Sequence, residues 1–252
     1  MHKGLWHSVK MRAVESNLAK LSTRLDGLFP AGARAAEMCE AADASLLLPA
    51  EARFLGRAVP SRVQEFAAGR VCARRLLAEF GIMEFPLMMA DDRQPIWPST
   101  LVGSITHTRG FCAAVVAPRT HMAGIGIDCE VTDSVKEEFW PKLFTAAETT
   151  WLRSLPISQQ AAAATLIFSA KEAFYKCQYP LVGERLGFGD ATVEVLDWKA
   201  TLGEFIIYPG GNSAIVRHAK LPLRGRYLFH EEFISTGVAL PRIPGEFSAQ
   251  PQ

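Results

Sequence analysis

Ser158 to Gln178 reads SQQAAAATLIFSAKEAFYKCQ, a stretch without glycine or proline and rich in strong helix formers. It predicts one long helix, about 31 Å at ~1.5 Å per residue, ending near Pro180. Downstream, PLVGERLGFGD is a glycine-rich loop, and ATVEVLDW, GEFIIYP, SAIVRHA and RGRYLFHEEFISTGVAL read as three or four strands. Upstream, MAGIGIDCEV (Met122 to Val131) predicts a strand. Before it, LVGSITH and FCAAVVAP, separated by Thr108, Arg109 and Gly110, predict a hairpin. Three strands with short connections suit an antiparallel meander rather than βαβ units. Farther back, Ser61 to Phe80 carries apolar residues at Val63, Phe66, Ala67, Val71, Leu76, Leu77 and Phe80. Those three- and four-residue steps predict an amphipathic helix, with Ser61 as N-cap after Pro60 and Gly81 at its end.

The order is therefore helix then strands, twice over, with a break near residues 118 to 123. The expected fold class is α+β in two halves, 1–120 and 121–241, with a disordered tail over 242–252. No repeat between the halves is visible in the letters. A ligand at their junction is the default expectation. The first 50 residues have weak periodicity, with turn signals only at Gly27 to Pro30 and at Pro49.

At 252 residues, 49% hydrophobic and 21% charged, the chain has globular composition, which excludes wholesale disorder and disulfide-stapled miniproteins. Its net charge of +1 provides no general field for nucleic acid or anionic lipid, so neither is expected as a partner. Five scattered cysteines, Cys39, Cys72, Cys112, Cys129 and Cys177, form no CxxC and argue against a zinc site. Neither a secretory signal nor a membrane-spanning run is recognisable, so a cytoplasmic location is expected. Met11 is an alternative start.

On a strand, Asp128 and Glu130 share one face while Ile127 and Cys129 share the other. Two hard oxygen donors on one face suit Mg²⁺, and read alone they equally suit a solvated strand end. GIGID is not GxGxxG and gives no support to dinucleotide binding. On the long helix, Phe168, Glu172 and Lys176 share a face, with Lys171 and Tyr175 in the next row. A Glu to Lys pair there is either an ordinary wet surface pair or, given its apolar flanks, a working one. His107, beside Thr106 and Ser104, is a phosphate donor when charged, or a merely structural histidine. No GxSxG elbow supports a serine hydrolase. Residues 51–75 carry a local excess of four positive charges and residues 126–148 an excess of four negative ones. Arginine forks suit phosphate, and an acidic cluster suits the metal that phosphates need.

In order and spacing, GSITHT, GIGIDCE and FSAKEAFYK, with 43 positions from Asp128 to Lys171, resemble the Sfp-type 4'-phosphopantetheinyl transferases. EFAAGR, DDRQPIWP and FTAAE resemble blocks of the enterobactin synthase component D subgroup. The likeness runs from about Arg57 to Gly189. It implies two pseudosymmetric halves, each an antiparallel sheet packed on a long helix, with coenzyme A in the cleft between them. It implies transfer of phosphopantetheine from coenzyme A to a serine of an apo acyl or peptidyl carrier protein, releasing adenosine 3',5'-bisphosphate.

By the same resemblance, Asp128, Glu130 and Glu172 are the Mg²⁺ ligands, and Lys176 and His107 contact the pyrophosphate, with Ser104 and Thr106 beside the histidine. Lys171 is the lysine of the KE pair, and Glu148 is one candidate base, beside Glu172 or a metal-bound water. Arg93, Gln94 and Pro95 run past the adenine, and Arg62 and Arg70 meet the 3'-phosphate. Departures are mild: Thr106 stands where serine is commoner, and Phe168 where some members carry tryptophan. A monomer is expected, since one chain supplies both halves. The rivals are a catalytically dead module that binds coenzyme A or carrier protein, another Mg²⁺-dependent nucleotidyl or phosphoryl transferase, and the short trimeric holo-acyl-carrier-protein synthase type.

Overall fold

A computed structural model describes residues 19–242 apart from 199, 218, 220 and 221. The tail beyond 242 therefore lies outside the described residues, as do the first 18. The first half runs β1 (Lys20–Leu21), α1 (Thr23–Asp26), β2 (Arg34–Met38), α2 (Pro49–Ala52), α3 (Pro60–Glu79), β3 (Leu101–Thr108) and β4 (Phe111–Pro118). Its antiparallel sheet has the order β1-β2-β4-β3. The predicted hairpin is β3 and β4, turned at Gly110, whose φ of 77° suits glycine. Strand β2, RAAEM, was illegible because alanine has little strand preference; it holds its place by pairing Ala36 with Ala114 and Ala35 with Val115.

Helix α3 differs from expectation at its start. Pro60 is its first residue and Val59 its N-cap, so Ser61 is not the cap. Proline's fixed φ and missing N–H suit that first position. Gly81, at φ 75°, follows its end. Phe66, Val71, Leu76 and Leu77 bury themselves against Leu101, Ala114 and Val116 of the sheet.

The second half runs β5 (Met122–Val131), α4 (Trp140–Leu143), α5 (Ala146–Ser154), α6 (Ile157–Val182), β6 (Ala191–Val195), β7 (Leu202–Pro209), β8 (Leu223–His230) and β9 (Phe233–Pro241). Its antiparallel sheet has the order β5-β9-β8-β7-β6. Here the meander expectation is corrected. Strand β5 leaves the β3–β4 hairpin and takes its ladder from β9, pairing Asp128 with Thr236. The physical reason is that β5 is almost wholly buried and needs cover on both faces, one apolar and one carrying Gly124, Gly126, Asp128 and Glu130. Ile125, Ile127 and Cys129 face Ala113, Val115, Phe111 and Phe233 between the sheets, and the opposite face receives α6.

Two further corrections concern boundaries. Where SAIVRHA is expected to extend, Ala214–Arg217 is a 3-10 turn. Helix α6 continues through Pro180 to Val182, because a proline this close to the end removes a single hydrogen bond, and Gly183 at φ 66° closes it by donating to Tyr179 O at 2.8 Å. No described helix is long and apolar enough to cross a membrane.

Candidate functional site

The glycines of GIGID explain how the site is assembled. A Cβ at Gly126 would lie 1.9 Å from Ala173 O, and one at Gly124 2.5 Å from Cys177 O. Their absence lets α6 rest on the backbone of β5. Glu172 and Lys176 each precede one of these contact residues, so the same seating that buries Ala173 and Cys177 brings the two charged side chains to Asp128.

Asp128 is 3% exposed. Its Oδ1 accepts from Lys176 Nζ at 2.7 Å and from Thr106 Oγ1 at 3.2 Å, while its Oδ2 is buried without a hydrogen-bond partner. Lys176 also donates to Ile127 O at 3.3 Å. Burial opposes the lysine's charge, but Asp128, Glu172 and Glu130 outweigh it and hold its pKa above the ordinary value. Burial, then the charge of Asp128, pushes the Glu130 carboxyl up to about 7. Burial also raises Glu172, with Asp128 adding and Lys176 opposing. Three carboxylates thus gather around one ammonium, with a buried oxygen left over. That surplus of hard oxygen donors fits a divalent cation such as Mg²⁺. Among the described residues, no group of three acidic, histidine or cysteine side chains is placed so as to hold a metal ion; a cation would have to draw the donors together.

The first half contributes a histidine and two arginines. His107, about one-third exposed, has Nε2 at 2.9 Å from Arg62 Nη1 and Nδ1 at 3.5 Å from Glu65 Oε2. A guanidinium can only donate, so Nε2 accepts and the ring is the neutral Nδ1–H tautomer. Burial lowers its pKa, and the neighbouring Arg62 and Lys176 act in the same direction. Arg70 is 5% exposed and lies over the Phe66 ring at 3.7 Å, with Nε and Nη2 unpartnered. Burial pushes its pKa down to about 10. Arg93, at φ 72°, forms with Gln94 the tip of a small hairpin in which Met89 bridges Pro95 and Asp92 accepts from Gln94.

Four expected site residues have other work. Ser104 Oγ accepts from Ile127 N at 3.2 Å, and Thr106 Oγ1 accepts from Cys129 N at 3.1 Å. Both are buried, so these hydroxyls tie β3 to the edge of β5 instead of reaching a ligand. Glu148, 2% exposed, is the third residue of α5. Its Oε2 accepts from Thr145 N at 2.7 Å and Lys171 Nζ at 2.8 Å, and its Oε1 from Val193 N at 2.7 Å. Lys171 also donates to Leu143 O and Phe188 O. With both oxygens engaged in the interior, Glu148 is not placed as a base, and Lys171 is its structural partner. The signal that points this way in the sequence is the capping-box spacing of Thr145 and Glu148.

Beside Glu172 opens a cavity of about 210 Å³, walled by Tyr175, Arg185, Leu186, Phe188 and Ala191. Sequence reasoning missed Arg185 and Leu186, which lie in a loop without periodicity.

A profile described as the 4'-phosphopantetheinyl transferase N-terminal domain matches residues 50–117, and one described as the 4'-phosphopantetheinyl transferase superfamily matches residues 124–228. The chain is 35% identical to 4'-phosphopantetheinyl transferase Svp of Streptomyces mobaraensis, over 78% of this chain and 79% of that protein. It is 32% identical to 4'-phosphopantetheinyl transferase Npt of Nocardia iowensis, over 85% of this chain and 99% of that protein. To enterobactin synthase component D of Salmonella typhimurium it is 38% identical, over 46% of this chain and 47% of that protein. The first two likenesses extend well beyond the motif blocks.

Proposed function

Since the chain belongs to the 4'-phosphopantetheinyl transferase family, we propose that it moves the phosphopantetheine arm of coenzyme A onto a serine of an apo acyl or peptidyl carrier protein, in a Mg²⁺-dependent reaction and as a monomer. The observation that carries the site assignment is the buried, unpartnered Oδ2 of Asp128 among Glu130, Glu172 and Lys176. Asp128, Glu130 and Glu172 are the residues that would hold Mg²⁺. When bound, the ion disperses the negative charge that builds on the pyrophosphate.

In the transfer, the carrier serine Oγ bonds to the phosphorus bearing pantetheine. The bond from that phosphorus to the bridging oxygen breaks, and adenosine 3',5'-bisphosphate departs. Lys176, kept cationic by the carboxylates, offsets the charge of the pyrophosphate together with Arg62, and the neutral His107 holds Arg62 in place. Glu172 lines the cavity while Glu148 is occupied, so the proton of the serine hydroxyl goes to Glu172 in this reading. Arg70 suits the 3'-phosphate, because a buried guanidinium with free donors lacks an anion. Arg93, Gln94 and Pro95 line the adenine.

Intact-protein mass spectrometry tests the proposal directly. The carrier gains one phosphopantetheine in the presence of coenzyme A and Mg²⁺, and gains none when its serine is alanine. Binding without mass gain across peptidyl, polyketide and fatty-acid carriers would instead establish a non-catalytic module.

A further inference from the structure

The buried contacts of Glu148 have a counterpart in the first half. Glu51 is the third residue of α2 and is fully buried. Its Oε2 accepts from the N-cap amide of Leu48 at 2.9 Å and from Arg74 Nη1 at 2.5 Å, and its Oε1 accepts from Leu87 N at 3.0 Å. Arg74 on α3 also donates to Leu46 O. Glu51 and Arg74 are 23 residues apart, as are Glu148 and Lys171. The carbonyl each cation reaches, Leu46 or Leu143, lies five residues before its glutamate. The two networks match at the carboxylate: one oxygen takes a helix cap and a cation from the long helix, and the other takes one distant backbone N–H.

What the distant N–H belongs to differs. In the second half it is Val193 of β6, and Lys171 adds Phe188 of the cavity wall. In the first half it is Leu87, at the foot of the hairpin whose rungs are Ile96 N to Met88 O and Ala90 N to Gln94 O, both 2.9 Å. Beyond these rungs the hairpin is short, and its tip, Asp91 to Arg93, is exposed. Met89 packs on the first-half core and Asp92 meets Tyr179 of α6, and Leu87 fixes the foot from which the hairpin projects.

We propose that Glu51 and Arg74 are positioning residues for coenzyme A: the buried pair clamps Leu87 and so aims Arg93, Gln94 and Pro95 at the adenosine. This rests on the reading above that the hairpin lines the adenine. Neither residue touches substrate. A carboxylate is needed at position 51 because one side chain must satisfy two amides and a guanidinium at once. The guanidinium in turn supplies the counter-charge beside that buried carboxylate, at 2.5 Å.

The test uses the full-length protein and two variants. Glu51→Gln weakens the clamp and removes the carboxylate charge that Arg74 faces, so it is paired with Glu51→Leu/Arg74→Met, which removes both charges together. Hydrogen exchange at the amides of Ala90, Arg93 and Ile96 is expected to quicken roughly tenfold or more relative to wild type, with α6 amides unchanged. KM for coenzyme A is expected to rise about fivefold, with kcat and KM for the carrier protein held. Unchanged exchange in the hairpin of the folded double variant overturns the clamp. Quickened exchange with an unchanged KM for coenzyme A overturns the contact between hairpin and adenosine, and with it that part of the functional reading. A proportional fall of kcat and of affinity for both substrates would assign the pair to general folding and overturn the positioning role.

Discussion

The two halves share a frame and differ in what they do with it. Each seats one long helix on an antiparallel sheet and locks it through a buried glutamate, Glu51 to Arg74 in one and Glu148 to Lys171 in the other. One residue past the locked cation stands Arg75 in the first half and Glu172 in the second; five past it stand Glu79 and Lys176. The charges are reversed, and so is their fate. Arg75 and Glu79 pair with each other at 2.5 Å on the surface, 24% and 37% exposed, while Glu172 and Lys176 turn to Asp128. The difference teaches that the helical lock is scaffold and that chemistry depends on what the helix is laid against. Helix α6 lies on the bare backbone of Gly124 and Gly126; α3 meets side chains of β3, with a single close glycine, Gly69, under Ile105.

The sharpest way to break this comparison is to replace equivalent positions. Asp128→Asn is expected to lower the rate of carrier modification by about 10²- to 10³-fold, a loss of several kcal/mol of charge stabilisation, with the circular dichroism unchanged. Arg75→Ala, at the first-half counterpart of Glu172, is expected to leave the rate within about twofold, as for an exposed ion pair. Comparable losses in both variants would show that the two helices are not divided between scaffold and chemistry.

Next in size is the lock itself. Glu148→Gln leaves Lys171 buried without its counter-charge and is expected to cost about 3–5 kcal/mol in urea unfolding, while the enzyme that remains folded keeps its kcat. A variant of wild-type stability and negligible kcat would restore Glu148 as a base.

Helix seating gives a smaller, graded effect. Gly126→Ala drives a methyl into the backbone oxygen of Ala173, which cannot yield without lifting α6, so a loss of about 3 kcal/mol and a parallel fall in activity are expected. Gly69→Ala meets only the Cγ2 of Ile105 at 2.9 Å, a side chain that can shift, and is expected to cost about 1 kcal/mol with activity retained. Thermal midpoints and initial rates of the two variants decide the matter; equal losses would remove the distinction between a helix on backbone and a helix on side chains.

The smallest expected effect lies where the halves meet. His230 stands among Phe111 of β4 and Phe233 of β9, with Nε2 at 2.8 Å from Ser235 Oγ and Nδ1 buried without a partner. Burial lowers its pKa below the ordinary 6.5, with Arg24 acting in the same direction and Glu37 and Glu231 opposing. Because the folded state disfavours the charged ring, its contribution is present above pH 6.5 and is lost as the pH falls below that value. Urea midpoints at pH 7.5 and 5.5 are expected to differ less in His230→Gln than in wild type. An identical pH slope in both would show that this histidine is indifferent to the junction.

By itself the sequence determined the elements whose cause is local. Both long helices, the β3–β4 hairpin, strand β5 and the shared face of Asp128 and Glu130 follow from periodicity, turn residues and the two-residue period of a strand, and the KE helix and the carboxylate strand were recognisable by motif. Tertiary structure alone decided which sheet β5 joins, because the backbone N–H and C=O groups of a strand can pair with either neighbour until the ladder with β9 forms. It also decided that Ala214–Arg217 turns instead of extending, and that Ser104 and Thr106 serve the strand edge. The twin locks were hidden for the same reason. Glu51 reaches an amide 36 residues away and Glu148 one 45 residues away, and such bonds leave no trace in composition or period because any residue but proline supplies the N–H. Local chemistry is written residue by residue, whereas a buried carboxylate acquires its task only when distant backbone closes around it.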